Sequence, residues 1–288
     1  TYTQIINGLD AFASAESIDI NILAAPGWSH PAVINEGLSI CENRGDCIYI
    51  AEVPFGLNPQ DAVAWHNGNG GSFQAFNSSY GALYYNWLLT ADKYNGGEIW
   101  LPPSGFVAAQ YAYTDTVAEP WFAPAGLIRG RILTPLKTER VLTKGDIELL
   151  YGNQNVINPI QMFRKDGIAI WGQRTLQRRP SATDRVNVRR LLLYIRKVVA
   201  TSVKYILFEP NDPVTWRRWV GIVEPFMRSI KKKRGVYYYK VICDETTNTP
   251  EVVNNNQMVG LIELQPMKTA EVIVDKFKLL PYGVEVKE

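Results

Sequence analysis

In the first 117 residues, short apolar runs of strand length alternate with stretches of helical pattern, and this alternation limits the possible folds most. Residues 18–23 form an apolar run that stops at Ala25-Pro26-Gly27, and residues 31–43 follow as a helix with Pro31 suited to its first turn. Residues 47–53 make a second apolar strand closed by Pro54, and Asn58 is placed to cap a short helix running through Trp65. After a Gly- and Asn-rich loop over 66–71, strands are expected at 82–88 and 98–101, then a helix over 105–117. Strand–helix alternation of this kind predicts an α/β layer with parallel pairing.

The pattern changes further along. Residues 119–135 hold three Pro and two Gly and read as an extended crossing, followed by a short helix over 146–151. A second part is expected to begin near Val156, which divides the chain into units 1–155 and 156–288, with a strand over 168–171. Residues 187–205 are the clearest helix, with Val188, Leu191, Leu192, Ile195, Val198, Val199 and Val203 on one face. The next helix opens at Asn211-Asp212-Pro213 and spaces Trp216, Trp219, Val220, Val223, Met227 and Ile230 helically. Pro225 inside it predicts a kink or a join between two helices, and Gly235 is the expected left-handed stop. Strands are expected at 236–243, 257–264 and 271–279.

Charge separates along the same division. The net charge of +2 combines seven basic and fifteen acidic residues before residue 156 with twenty-three basic and thirteen acidic residues after it. A hydrophobic fraction of 46% is enough for a sizeable core and excludes wholesale disorder. No apolar run approaches the ~20 residues of a membrane helix, so no membrane insertion is expected. No signal peptide is visible, and a chain that starts at Thr1 reads as a trimmed or cleaved fragment. The three cysteines, Cys41, Cys47 and Cys243, fit neither zinc spacing nor a CxxC redox pair and read as reduced thiols.

Catalytic chemistry has few candidates. There are two histidines, His30 and His66, and no metal-ligand spacing, so neither metal nor cofactor is expected. The glycines after His66 lack the Lys-Ser/Thr that a phosphate-binding loop requires. One hydrolase arrangement can be written: Ser104 at a helix start as nucleophile, His66 as base, and Asp46 or Asp115 as orienting acid. Its simpler counterpart is Ser104 as a helix cap. The pairs Arg178-Arg179, Arg189-Arg190 and Arg217-Arg218, with nearby tryptophans and tyrosines, permit a nucleic-acid reading. The tryptophans fall on an apolar helix face, however, and the acidic half repels phosphate, so no nucleic-acid partner is expected.

An ordered set of motifs resembles the sheath proteins of contractile phage tails, with relatives in pyocins and other contractile injection systems. It comprises Glu98-Ile99-Trp100-Leu101-Pro102-Pro103-Ser104-Gly105, Thr114-Asp115-Thr116, and Pro120-Trp121-Phe122-Ala123-Pro124-Ala125-Gly126. It continues with Asn153-Gln154-Asn155-Val156-Ile157-Asn158, Trp171-Gly172-Gln173-Arg174-Thr175-Leu176, Arg185-Val186-Asn187-Val188-Arg189-Arg190-Leu191, and Phe208-Glu209-Pro210-Asn211-Asp212. The resemblance implies a non-enzymatic structural subunit: an α/β, subtilisin-like core domain followed by a smaller α+β C-terminal domain. It implies as partners other copies of the subunit, in hexameric rings stacked helically, together with the tail tube, baseplate and tail terminator proteins. The expected location is the virion tail, with assembly in the host bacterial cytoplasm. Under this resemblance Glu271, Val272, Ile273, Val274, Asp275, Lys276 and Phe277 belong to a subunit-linking strand, and Arg228, Lys231, Lys232, Lys233 and Arg234 face the tube. The acidic part of one subunit is expected to face the basic part of a neighbour.

Overall fold

The computed structural model describes residues 1–68, 74–152 and 155–271 of the chain. In chain order come α1 (Tyr2–Asp10), β1 (Ile22–Ala24), α2 (Pro31–Arg44), β2 (Ile48–Glu52), α3 (Pro59–His66) and β3 (Gly81–Tyr85). There follow β4 (Leu88–Ala91), β5 (Glu98–Leu101), α4 (Pro103–Val117), α5 (Gly126–Arg129), β6 (Arg131–Ile132), β7 (Lys137–Thr138) and α6 (Lys144–Leu150). The remainder holds β8 (Ile157–Phe163), β9 (Gly167–Ile170), α7 (Val186–Val203), α8 (Pro213–Lys232), β10 (Val236–Ile242), α9 (Pro250–Asn254) and β11 (Leu261–Pro266).

The expected parallel layer is present. A six-stranded sheet runs in the order β1-β2-β3-β8-β9-β6, parallel from β1 to β8 and antiparallel beyond. Alternation along β2 sends Ile48 and Ile50 to one core and Tyr49 and Ala51 to the other. β3 repeats the pattern, with Ala82 and Tyr84 on one face and Leu83 and Tyr85 on the opposite face. Val33, Ile34 and Leu38 of α2 cover one face, and Val107 and Tyr111 of α4 cover the other. Burial on both faces explains why these strands read as continuous apolar runs. Each large aliphatic side chain buried this way contributes about 1.5–3 kcal/mol.

Two local departures shape the molecule. The strand expected over 82–88 breaks at Asn86, whose φ of 97° turns the backbone. Its amide donates to the carbonyls of Arg140 (2.8 Å) and Ile160 (3.1 Å), so the left-handed turn is held by buried hydrogen bonds. Leu88 then enters a separate antiparallel sheet, β5-β4-β7. The second lies where the junction near residue 156 was expected. Leu83 pairs with Ile157 and Tyr85 with Pro159, so the first sheet continues across that point and through β9. Asn158, fully buried, fixes this crossing by donating to the carbonyls of Leu83 (3.1 Å) and Arg174 (2.8 Å).

The second unit is built on α7 and α8. α7 belongs to both cores, with Val186 and Leu193 packed under the sheet and Leu191 and Ile195 against α8. Trp216, Trp219, Val223, Met227 and Ile230 of α8 are all buried, as their spacing predicts. Asp212 caps this helix by accepting from the N–H groups of Val214 (3.0 Å) and Thr215 (2.9 Å). Pro225 neither ends nor splits α8, which runs through it with Pro225 exposed. The expected left-handed stop moves by one residue: Arg234 takes φ 62°. Gly235 serves close packing instead, since a Cβ there would sit 2.5 Å from Ile230 Cγ2.

Candidate subunit interface

The residues of the hydrolase arrangement are committed elsewhere. Ser104 is the second residue of α4 and is buried, and its N–H donates to Glu52 Oε2 at 3.3 Å. Glu52, at the end of β2, also accepts from the N–H of Gly27. Ser104 is therefore not the cap of α4; the carboxylate of a neighbouring strand takes that role, where a negative charge suits a helix N-terminus. Burial pushes the Glu52 carboxyl above its ordinary range, against the opposing pull of Ser104 and Gly27. His66 is fully buried beside Phe76, with ring centroids 5.9 Å apart and neither ring nitrogen hydrogen-bonded among the described residues. Burial, aided by the charge of Arg178, lowers its pKa to about 4. Asp46 pairs with Arg44 at 2.8 Å, and Asp115 with the buried Arg190 at 2.5 Å. No hydrogen bond joins Ser104 to His66, or His66 to either aspartate, among the described residues.

The β10–β11 sheet has edges without an internal partner among the described residues. β10 and β11 form a two-stranded antiparallel sheet, in register from Tyr238↔Gln265 to Ile242↔Leu261. One face packs on α8 through Tyr239, Val241, Ile262 and Leu264, and the Tyr239 hydroxyl donates to Glu224 Oε1 at 2.8 Å. Tyr237 and Tyr238 remain about half exposed. With two strands, each keeps one row of backbone donors and acceptors without a sheet partner among the described residues, and such a row is a template for another strand. Two-stranded sheets are marginal alone; here α8 holds the pair in shape.

The chain leaving β11 is pinned at a defined place. Glu271 accepts from Arg185 Nε (2.7 Å), Gln173 Nε2 (3.2 Å) and the Tyr151 hydroxyl (3.2 Å). Gln173 also donates to Thr269 Oγ1 at 2.6 Å. A cleft of about 980 Å³ adjoins this anchor, lined by Arg185, Tyr237, Lys268 and Glu271 among others. Of the expected linking strand, Glu271 is thus placed, while Val272, Ile273, Val274, Asp275, Lys276 and Phe277 lie outside the described residues.

At the end of α8 all five expected tube-facing residues are exposed, yet they are not equivalent. Arg228 lies 3.7 Å from Glu224, and Lys231 sits 5.9 Å above the Tyr239 ring. Lys233 pairs with Glu119 at 2.6 Å, which raises its pKa, and its carbonyl accepts from Trp121 Nε1 at 3.0 Å. Lys232 and Arg234 enter no ion pair among the described residues. Sequence reasoning missed the contribution of Glu119 and Trp121, because nothing local ties them to residues more than a hundred positions later. It also missed that the opposed charges partly meet inside one chain. Asp115–Arg190, Asp19–Lys197 and Glu119–Lys233 all join the acidic part to the basic part.

Comparison with known proteins agrees along the chain. The family model described as phage tail sheath protein central domain matches residues 1–176, and that of the phage tail sheath C-terminal domain matches residues 179–278. These matched segments meet beyond the β8–β9 pair. The tail sheath protein of Enterobacteria phage T4 is 30% identical over 305 residues, covering 100% of this chain and 46% of that protein. The tail sheath protein of Vibrio phage KVP40 is 33% identical over 254 residues, covering 83% of this chain and 38% of that protein. The chain spans less than half the length of these relatives. The sheath of an extracellular contractile injection system, PVC, in its contracted state has the same fold, with a TM-score of 0.77 at 24% identity over 91% of this chain and 71% of that one. The helical sheath of the anti-feeding prophage in its contracted state gives 0.72 at 22% identity over 95% of this chain and 73% of that one.

Proposed function

The chain belongs to the phage tail sheath family, and from that premise we propose that it is the assembly-forming part of a contractile tail sheath subunit. The observation that carries the reading is the β10–β11 sheet, whose edges carry no further strand among the described residues, together with the anchor of the outgoing chain at Glu271. A subunit that offers sheet edges and exports its own strand can add strands to its neighbours, and such heterologous contacts propagate instead of closing. Residues 272–277 supply the exported strand in this reading. Hexameric rings of subunits stack helically around a tail tube, between a baseplate and a tail terminator. Contraction then moves subunits as rigid bodies between two packings and drives the tube through a bacterial envelope. Lys231, Lys232 and Arg234, the members of the basic cluster that enter no ion pair among the described residues, are the residues that meet the tube. The parallel β1-β2-β3-β8 layer with helices on both faces is the subtilisin-like core, used here as a scaffold and not for catalysis. The subunit works in the virion tail, after assembly in the host cytoplasm.

Negative-stain microscopy of the full-length parent protein tests the proposal. Hollow striated tubes are expected, and they should disappear when residues 272–288 are removed, with the far-UV spectrum retained. A monodisperse monomer under all assembly conditions would contradict it.

A further inference from the structure

Cys41 in the last turn of α2 and Cys47 just before β2 are both fully buried, with their sulfur atoms 3.3 Å apart. Gly45, at φ 65°, turns the chain between them and brings the two side chains together. Arg44 stands beside the pair, bonded to Asp46 (2.8 Å), to the Phe12 carbonyl (2.7 Å) and to the Ile18 carbonyl (2.9 Å). Those last two bonds fasten the segment after α1 over this corner of the core. Cys243, the third thiol, belongs to the separate core around α8 and touches Asn248 instead.

We propose that Cys41 and Cys47 are an oxidisable dithiol that a small hydroperoxide closes into an intrachain disulfide. The sulfurs must approach by only ~1.3 Å to reach bonding distance. The Cys41 thiol, helped by the Arg44 charge, holds the Cys47 thiol below its ordinary value despite burial, while its bond to Cys47 and burial push Cys41 up. In this proposal Cys47, with the Arg44 guanidinium beside it, acts as the nucleophile and Cys41 as the resolving thiol. The Cys47 thiolate attacks one peroxide oxygen, the O–O bond breaks, and the other oxygen leaves as water, giving a sulfenic acid. Cys41 sulfur then attacks the Cys47 sulfur; the hydroxyl leaves with the Cys41 proton as a second water. Two thiols lose two hydrogens and one hydrogen peroxide becomes two waters. A chain made in a reducing cytosol would carry the open pair, which closes on exposure to oxidant.

The test treats the folded full-length chain with hydrogen peroxide, alkylates the remaining thiols, and digests with trypsin, which cuts after Arg44 between the two cysteines. The expected product is one disulfide-linked pair of peptides holding Cys41 and Cys47, with Cys243 alkylated and the thermal midpoint raised until reductant restores it. In Cys41→Ser, dimedone should trap a sulfenic acid at Cys47; in Cys47→Ser, none should form at position 41. Cys243→Ser should leave the link intact. The proposal is overturned if all three thiols stay alkylatable, if Cys243 reacts first, or if Cys47 passes to the sulfinic acid without a link. None of these readings depends on assembly.

Discussion

Glu52 and His66 show how single residues carry charge penalties that the fold uses. Glu52 joins β2, the Gly27 turn and the start of α4 through two backbone N–H groups, at the cost of burying a carboxyl. Its folded-state pKa is raised by burial, so its contribution to stability is full below the ordinary glutamate value and is lost as pH rises through the raised one. Glu52→Gln should flatten that slope, whereas Glu52→Ala should cost about 1–3 kcal/mol for each N–H left without an acceptor. Urea titrations at several pH values measure both. His66 has the opposite sign. Its pKa falls from 6.5 to about 4, so the neutral ring stabilises the fold above 6.5 and that stability is lost as pH falls toward 4. The loss is up to about 3 kcal/mol, and His66→Phe should remove it from the acid limb of the same titration. A limb unchanged in His66→Phe would assign acid loss to other groups.

At the scale of elements, what was legible in the sequence was whatever local chemistry decides. Asn58 caps α3 by accepting from the Asp61 N–H at 2.8 Å, and Asp212 caps α8, because capping needs only neighbours two or three residues on. The apolar stripe of α8 and the alternation of β2 were equally readable, since both follow from period and burial. β8 was not, because Pro159 argues against a central strand; its backbone is tolerated where the sheet changes from parallel to antiparallel. α1 was missed because most of it is exposed, and Leu9 alone is buried. Its partners include His30, stacked on Tyr2 at 4.4 Å, a contact between separate elements that spacing cannot show. The Glu52 cap and the Glu271 anchor are non-local in the same way, so the open sheet was legible as two strands but its tether was not. Close helix–strand packing gives a sharp test. A Cβ on Gly37 of α2 would lie 2.3 Å from the Tyr49 ring. Gly37→Ala should therefore destabilise by about 1–3 kcal/mol, although alanine is worth about 1 kcal/mol more than glycine in a free helix. A gain in thermal midpoint would show that α2 shifts freely against β2.

Across the whole molecule, the charge division takes on a second meaning. Three ion pairs spend part of it inside the chain, locking α7 and the end of α8 to the acidic part. The exposed remainder is available to neighbours, so assembly of the full-length protein should weaken as salt rises past the ~10 Å screening length at 0.1 M. Assembly that is indifferent to salt would confine the charges to an internal role. The central claim is more specific than polymer formation: the β10–β11 sheet is completed by other subunits. A cryo-EM helical reconstruction of the full-length polymer tests it most directly. Strands from neighbouring subunits are expected to be hydrogen-bonded along the edges of β10 and β11, reached by chain that continues from the Glu271 anchor. A polymer in which this sheet stays two-stranded would contradict it.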